Sequence, residues 1–209
     1  MQRQNQTRDK IIKTALDLFV TYGIKKTTVE DVSDKSGITR ATVYRYFSNK
    51  ENLVRAGFMY MVEITRAMLN ELDAHQNYDI KKSNERIMNA INRLPQGDIP
   101  ACVNELKLLY PDIFNEYRDA RLSNIMGIFQ HIFDSARKEG LLQDTSERNM
   151  QLMPAILAEA TLYITESPLV LSHGIPFKEI YAYMIDLILY GIMDRKKKPK
   201  LSPGFQREK

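Results

Sequence analysis

Residues 39–47, Thr-Arg-Ala-Thr-Val-Tyr-Arg-Tyr-Phe, bring together side chains that can bind nucleic acid. In a helix, Val43 and Phe47 lie four positions apart and share one apolar face. The outer face then carries Thr39, Arg40, Thr42, Tyr44 and Arg45. A guanidinium pairs bidentately with guanine O6 and N7, and small residues early in the helix permit close approach to a major groove about 12 Å wide. The run therefore predicts a helix that reads the edges of DNA bases.

The residues before this run predict the elements that position it. Thr28-Val-Glu-Asp31 indicates a variant capping box, which opens a short helix ending near Ser36. Gly37 follows as the turn, and Thr39 can cap the next helix. Two short helices around a glycine-containing turn are typical of a helix-turn-helix unit.

Further helices are predicted on both sides of this unit. An apolar stripe predicts a first helix that is capped by Thr7 and ended by Gly23. Ser48-Asn-Lys-Glu51 matches a full S-x-x-E capping box and predicts the start of a fourth helix. Beyond it, helical periodicity indicates helices over about residues 49–72, 83–94, 100–109, 111–140, 145–166 and 177–193. We find no useful run of period two, so the predicted fold is all-α with about nine helices.

Charge is distributed unevenly along the 209 residues. Residues 1–55 hold 11 Lys and Arg against 6 Asp and Glu, whereas residues 56–194 hold 12 against 19. Residues 195–209 hold 7 against 1. A basic head on an acidic body steers one end of a molecule toward a polyanion. We expect a DNA-binding domain at 1–52, a larger helical domain at 53–194 and a basic, solvated tail at 195–209.

Several other chemistries find no support in the residue patterns. Cys102 is the single cysteine, and His75, His131 and His173 have no metal-ligand spacing, so no metal site is predicted. The sequence lacks a glycine-rich phosphate loop and a G-x-S-x-G motif; we predict no catalytic residues and no cofactor. A redox-sensing role for Cys102 stays open. No apolar stretch follows the N-terminus, and the segment 181–193 is too short to span a bilayer, so a cytoplasmic location is expected.

The run from Thr28 to Leu53 resembles the N-terminal signature of TetR-type bacterial regulators. That signature combines the small-x-x-small-Gly turn with a Tyr-x-aromatic-Phe ending and a following Lys-Glu-x-Leu, and residues from about 8 to 53 match it. The resemblance implies that Thr39, Tyr44 and Tyr46 bind phosphates. Lys50 would reach a phosphate from the start of the fourth helix, and Thr28 from the start of the second.

Two points about these side chains remain open. Arg40, Thr42 and Arg45 are the expected base readers, because Arg suits guanine. Relatives often carry His at the Tyr46 position, and Tyr retains a hydroxyl donor there. The alternative is that Tyr44 or Tyr46 packs against the first helix and does not contact DNA.

The resemblance also implies that the body binds an effector and forms a homodimer. The last two helices, near 147–166 and 177–193, would build the interface; the alternative is that they are core helices of a monomer. The expected effector pocket uses Met and aromatic side chains, which suit an adaptable apolar site, although such stripes are more often plain core. Its candidate residues are Met61, Met88, Cys102, Tyr110, Phe114, Met126, Phe129, Phe133, Met153 and Tyr163.

The sequence therefore predicts a homodimeric repressor, and not an enzyme, that a small-molecule effector releases from a palindromic double-stranded DNA operator. Effector binding would tilt the long fourth helix and separate the recognition helices. The alternative is a helix-turn-helix regulator without a small-molecule effector, controlled by a protein partner or acting as an activator or architecturally.

Overall fold

The computed structural model describes residues 2–74, 80–141 and 147–167, together with positions 169, 172, 179, 180, 183 and 184. The described regular elements are helices, which confirms the all-α prediction. The principal helices, in chain order, are α1 (Gln2–Tyr22), α2 (Val29–Ser36), α3 (Arg40–Tyr46), α4 (Lys50–Ala74), α5 (Ile80–Ile91), α6 (Ile99–Leu109), α7 (Pro111–Lys138) and α8 (Glu147–Glu166). The expected basic tail, His75, His173 and most of the expected helix at 177–193 lie outside the described residues.

Two predicted helix starts are wrong. α1 begins at Gln2, so Thr7 lies inside the helix instead of capping it. The preceding glutamines and arginine are good helix formers, and no Pro or Gly stops the helix from extending over them. At the start of α4, Asn49 Oδ1 accepts from the Asn52 N–H at 2.8 Å, so Asn49 caps the helix one residue later than the predicted box at Ser48.

The N-terminal helices pack around the stripe seen in the sequence. Ile11, Ala15, Leu16 and Phe19 of α1 are buried, as are Val29, Val32, Val43 and Phe47. α1 packs against α2 and α4, and α2 packs against α3. Apolar burial at helical spacing therefore orients the two short helices on a single support.

α4 and α7 form the centre of the body. The 25-residue α4 packs against α1 and also against α7, so it passes through the expected domain boundary at residues 52–53 as one helix. Phe58 and Tyr117 meet edge to face with ring centroids 5.3 Å apart. Asn124 Nδ2 donates to Val62 O at 3.1 Å and to Thr65 Oγ1 at 3.0 Å, which satisfies a buried amide between the two helices. One continuous apolar core consequently extends from α1 to α8.

The turn between α5 and α6 closes directly on the end of α1. The Asp98 N–H donates to Val20 O at 3.2 Å. Gly97 has φ +137°, and a Cβ there would lie 2.7 Å from Val20 Cγ1 and 2.9 Å from Val20 O. Only glycine fits this position, because both the backbone conformation and the space exclude a side chain.

Gly97→Ala is expected to lower the free energy of unfolding by about 3 kcal/mol, because it adds a clash with backbone to a strained φ. Gly37→Ala is the matched control: φ is +65° and a Cβ would meet nothing within 4 Å, so the cost should be about 1 kcal/mol. Urea unfolding of both variants measures the difference. Equal losses would show that contact with Val20 contributes nothing.

Candidate nucleic-acid interface

α2 begins with the capping box that the sequence predicts. Thr28 Oγ1 accepts from the Asp31 N–H at 3.1 Å, and Asp31 Oδ2 accepts from the Thr28 N–H at 2.7 Å. The hydrogen bonds from Thr28 hold the pKa of Asp31 below its ordinary value, since they favour the carboxylate. The start of α2 is thereby fixed, with Thr28 exposed beside it.

The turn into α3 is equally well defined. Gly37 adopts the left-handed conformation at φ 65°, and the Ile38 N–H returns to Ser33 O at 3.2 Å. Ser33 Oγ donates to Ile38 O at 2.6 Å. Thr39 then caps α3, as expected, by accepting from the Thr42 N–H at 3.3 Å. These bonds set the angle between α2 and α3.

The seven-residue α3 divides its side chains as the spacing predicts. Val43 is buried on the core side, and Phe47 is buried just after the helix. Thr39, Arg40, Tyr44 and Arg45 are exposed, while Thr42, Tyr46 and Lys50 are half-buried. The helix therefore presents hydroxyl and guanidinium groups on one outer face.

Aromatic rings support the two arginines of this face. The Arg40 guanidinium lies 5.6 Å from the Tyr44 ring centroid and forms an exposed ion pair with Glu30. The Arg45 guanidinium lies 5.7 Å from the ring of Tyr46, which itself packs against the core. Stacking on a ring restricts the rotamers of an arginine side chain and leaves its N–H groups free to bind DNA.

Lys50 is anchored to the turn that joins α1 and α2. Its Nζ donates to Lys25 O at 3.4 Å. Burial lowers the pKa of Lys50, and the nearby carboxylates of Glu105 and Asp31 partly oppose that shift. The ammonium group is thus placed beside the helix-turn-helix and not extended into solvent.

Glu105 of α6 ties the body to this same turn, and sequence reasoning missed it. Its Oε2 accepts from the Ile24 N–H at 2.6 Å and its Oε1 from the Lys25 N–H at 2.9 Å. Ile24 is fully buried, so its N–H needs a partner from the protein. About 80 residues separate the donors from the acceptor, and no periodic pattern connects them.

Among the described residues, an apolar cavity of about 40 Å³ lies between α4, α5, α7 and α8. Among the described residues, it is lined by Ile64, Thr65, Met68, Ile87, Ala90, Ile91, Leu94, Ile125, Ile128, Phe129, Ile132, Thr161 and Met184.

The expected pocket residues are distributed differently from this lining. Phe129 lines the cavity; Met61, Phe114 and Phe133 are buried outside its lining, and Met88, Tyr110 and Met153 are half-buried. Met126 and Tyr163 are exposed. Cys102 is buried in α6, where desolvation raises the pKa of its thiol to about 12 and Glu105 and Asp98 add to the shift. A thiol held protonated in this way lacks the low pKa typical of reactive cysteines.

Two further features concern the described part of the chain alone. There, no cluster of three or more His, Cys, Asp or Glu side chains is arranged to hold a metal ion. Within the same residues, we find no helix long and apolar enough to cross a membrane.

Comparison with known proteins agrees with the geometry of α1–α4. Residues 11–56 match the family of bacterial regulatory proteins described as the tetR family. The chain is 27% identical over 106 residues to the probable acrEF/envCD operon repressor of Escherichia coli, covering 50% of this chain and 47% of that one. It is 29% identical over 131 residues to the HTH-type transcriptional regulator TtgR of Pseudomonas putida, covering 62% and 52%. The matched segment thus spans about half the length of these relatives.

A solved structure extends the likeness of the fold over most of the chain. The TetR transcriptional regulator from Chloroflexus aurantiacus superposes with a TM-score of 0.63 at 18% identity, covering 92% of this chain and 99% of that one. At this identity the likeness concerns the fold alone.

Glu105→Gln is expected to lower the free energy of unfolding by about 1–2 kcal/mol, because an amide offers one acceptor oxygen where the carboxylate offers two to the Ile24 and Lys25 N–H groups. The matched control is Glu159→Gln, which removes an exposed ion pair with Arg118 and should cost about 0.5 kcal/mol or less. Urea unfolding compares the two variants. A Glu105 variant as stable as the Glu159 variant would contradict the assigned role.

Proposed function

We propose that this chain is a bacterial transcriptional regulator of the tetR family, whose description residues 11–56 match, and that it represses transcription from a palindromic operator. The relatives that it resembles are named as a repressor and a transcriptional regulator, and we infer that it is not an enzyme. A homodimer binds the operator, and a small-molecule effector releases it. The observation that carries the proposal is the outer face of α3, where exposed Arg and Tyr side chains stand on a fixed helix-turn-helix.

The DNA contacts follow from the chemistry of this face. Arg40, Thr42 and Arg45 contact base edges, since guanidinium and hydroxyl groups read the major groove. The remaining contacts are to phosphates and fix the register of the helix. They come from Thr28, Thr39, Tyr44, Tyr46 and Lys50. To contact a base edge, Arg40 must give up its ion pair with Glu30, and because that pair is exposed the exchange costs little.

Dimerisation is supported by the surface of α8. On this helix, Leu152, Ile156 and Tyr163 are 48%, 56% and 78% exposed. An exposed apolar surface of this kind is typical of a protein–protein interface. A single α3 reads too few base pairs for specificity, whereas a two-fold dimer reads two half-sites about 34 Å apart. We assign the interface to α8 and the segment 177–193.

Two connections link the cavity in the body to the DNA-binding helices. α4 begins at Lys50 and contributes Ile64, Thr65 and Met68 to the cavity wall. Leu94 also lines the cavity, and the following turn holds Val20 of α1 through Asp98. Widening the cavity would move both connections. An effector that prefers the widened state would lower operator affinity by its differential binding.

The small size of the cavity favours a second candidate, a regulator of the same DNA-binding type without a small-molecule effector. Ligand sites usually measure about 300–1,000 Å³, well above this cavity. Control would then pass through a protein partner. Binding of a small molecule in the cavity, accompanied by release of DNA, decides between the two candidates.

Arg45→Ala is expected to weaken binding to an operator selected from a random DNA pool by about tenfold or more, and to relax the preference at one base position, because a bidentate contact to guanine is lost. Arg66→Ala is the control; Arg66 is exposed on α4 in the body and pairs with Glu63. Fluorescence anisotropy titrations measure both. If Arg45→Ala binds the operator like wild type, α3 does not read DNA through this residue.

A further inference from the structure

The described part of the cavity wall carries no charged side chain. Its described lining contains Ile, Leu, Ala, Met, Phe and Thr residues and no Asp, Glu, Lys, Arg or His. A buried charge without a partner costs several kcal/mol or more. The described lining therefore favours an uncharged ligand.

The polar groups of the described lining side chains are two hydroxyls, and each already donates its proton to a backbone carbonyl. Thr65 Oγ1 donates to Val62 O at 2.7 Å, and Thr161 Oγ1 donates to Leu157 O at 2.7 Å. Thr65 Oγ1 also accepts from Asn124 Nδ2. A hydroxyl has one donor and two acceptor sites. Both hydroxyls can therefore only accept a hydrogen bond from a ligand. Thr161 is the better acceptor, because Thr65 Oγ1 already accepts from Asn124.

The cavity can widen because two methionines line it. Met68 of α4 and Met184 are both buried against the space. Methionine side chains are unbranched and polarizable, so they change rotamer and repack around a guest at low cost. A guest larger than the present space would displace Met68 and push on α4.

On the basis of the proposed effector-released repressor, we propose that this cavity binds a small, neutral, largely apolar molecule that carries one hydrogen-bond donor. The donor bonds to Thr161 Oγ1, and the apolar remainder replaces the methionine side chains against the isoleucines. Alkylphenols and medium-length alcohols have this chemistry, whereas organic cations and carboxylates do not.

Four probes of similar shape test the ligand class in the full-length protein: 4-propylphenol, propylbenzene, 4-propylbenzoate and 4-propylbenzylammonium. Calorimetric titration without DNA should give the tightest binding for 4-propylphenol, with propylbenzene weaker by about two- to tenfold. The two ions should bind at least roughly a hundredfold more weakly, because their charge would be buried unpaired. Equal or tighter binding of either ion, or no binding of any probe, would overturn the proposal.

Thr161→Val tests the assigned hydrogen bond while keeping the shape of the side chain. The variant should bind 4-propylphenol no more tightly than propylbenzene, because the phenol O–H would be buried without an acceptor. Thr21→Val is the matched control, since Thr21 is exposed on α1 and its hydroxyl likewise donates to a carbonyl one turn back, at 2.7 Å. It should keep the preference for the phenol. A preference retained in Thr161→Val would overturn the assignment.

Operator release is measured separately, by anisotropy of labelled DNA with 4-propylphenol added. If the order of probe affinities holds and DNA is nevertheless retained, the ligand class stands and the release function fails. If DNA is released by 4-propylbenzoate or 4-propylbenzylammonium instead, release stands and the ligand class fails.

Discussion

The Glu105 carboxylate fixes the end of α1 relative to the body. Ile24 and Lys25 lie in the turn after the end of α1, and the N–H of the fully buried Ile24 needs a partner from the protein. A carboxylate from α6 accepts from both Ile24 and Lys25. Lys25 O in turn accepts a hydrogen bond from Lys50 Nζ, so the start of α4 is connected to the same turn. Glu105 therefore helps to orient the helix-turn-helix relative to the body, together with the packing of α1 against α4 and the Asp98–Val20 hydrogen bond.

This arrangement gives a two-state account of regulation. α4 is a single helix from the DNA-binding end to the cavity wall, and close-packed interiors do not deform continuously. A ligand larger than the cavity would consequently fit only if α4 and the turn at Gly97 shift together. The state with the Glu105 contacts intact is the one with a small cavity, which we assign to DNA binding. In the proposed function, an effector would act by preferring the other state.

Sequence reasoning identified the local features well and the long-range ones poorly. The capping box at Thr28 and Asp31 and the buried position of Val43 follow from spacing within a few residues. The roles of Glu105 and Gly97 depend on partners about 80 residues away in α1 and its turn, and periodicity carries no such information. The same limit applies to the cavity: a stripe indicates which face of a helix is buried, but not which buried residues border a gap.

The methionines and aromatics of the body illustrate that limit. Phe129 lines the cavity, yet Tyr163, on the same kind of apolar stripe, is exposed. The packing of α7 between α4, α6 and α8 buries several of its faces at once, so composition alone does not select the lining. Isoleucine is the commonest residue in the described wall, and in the sequence these isoleucines do not differ from ordinary core residues.

In the proposed switch, a widened cavity moves α4 and the Gly97 turn, and we expect this movement to loosen the Glu105 contacts to the turn after α1. Amide hydrogen exchange at Ile24 and Lys25, measured with operator DNA and then with 4-propylphenol, tests it directly. We expect slower exchange at both amides when DNA is bound, and faster exchange when the phenol is bound. Release of DNA by the phenol with unchanged exchange at these two amides would contradict it.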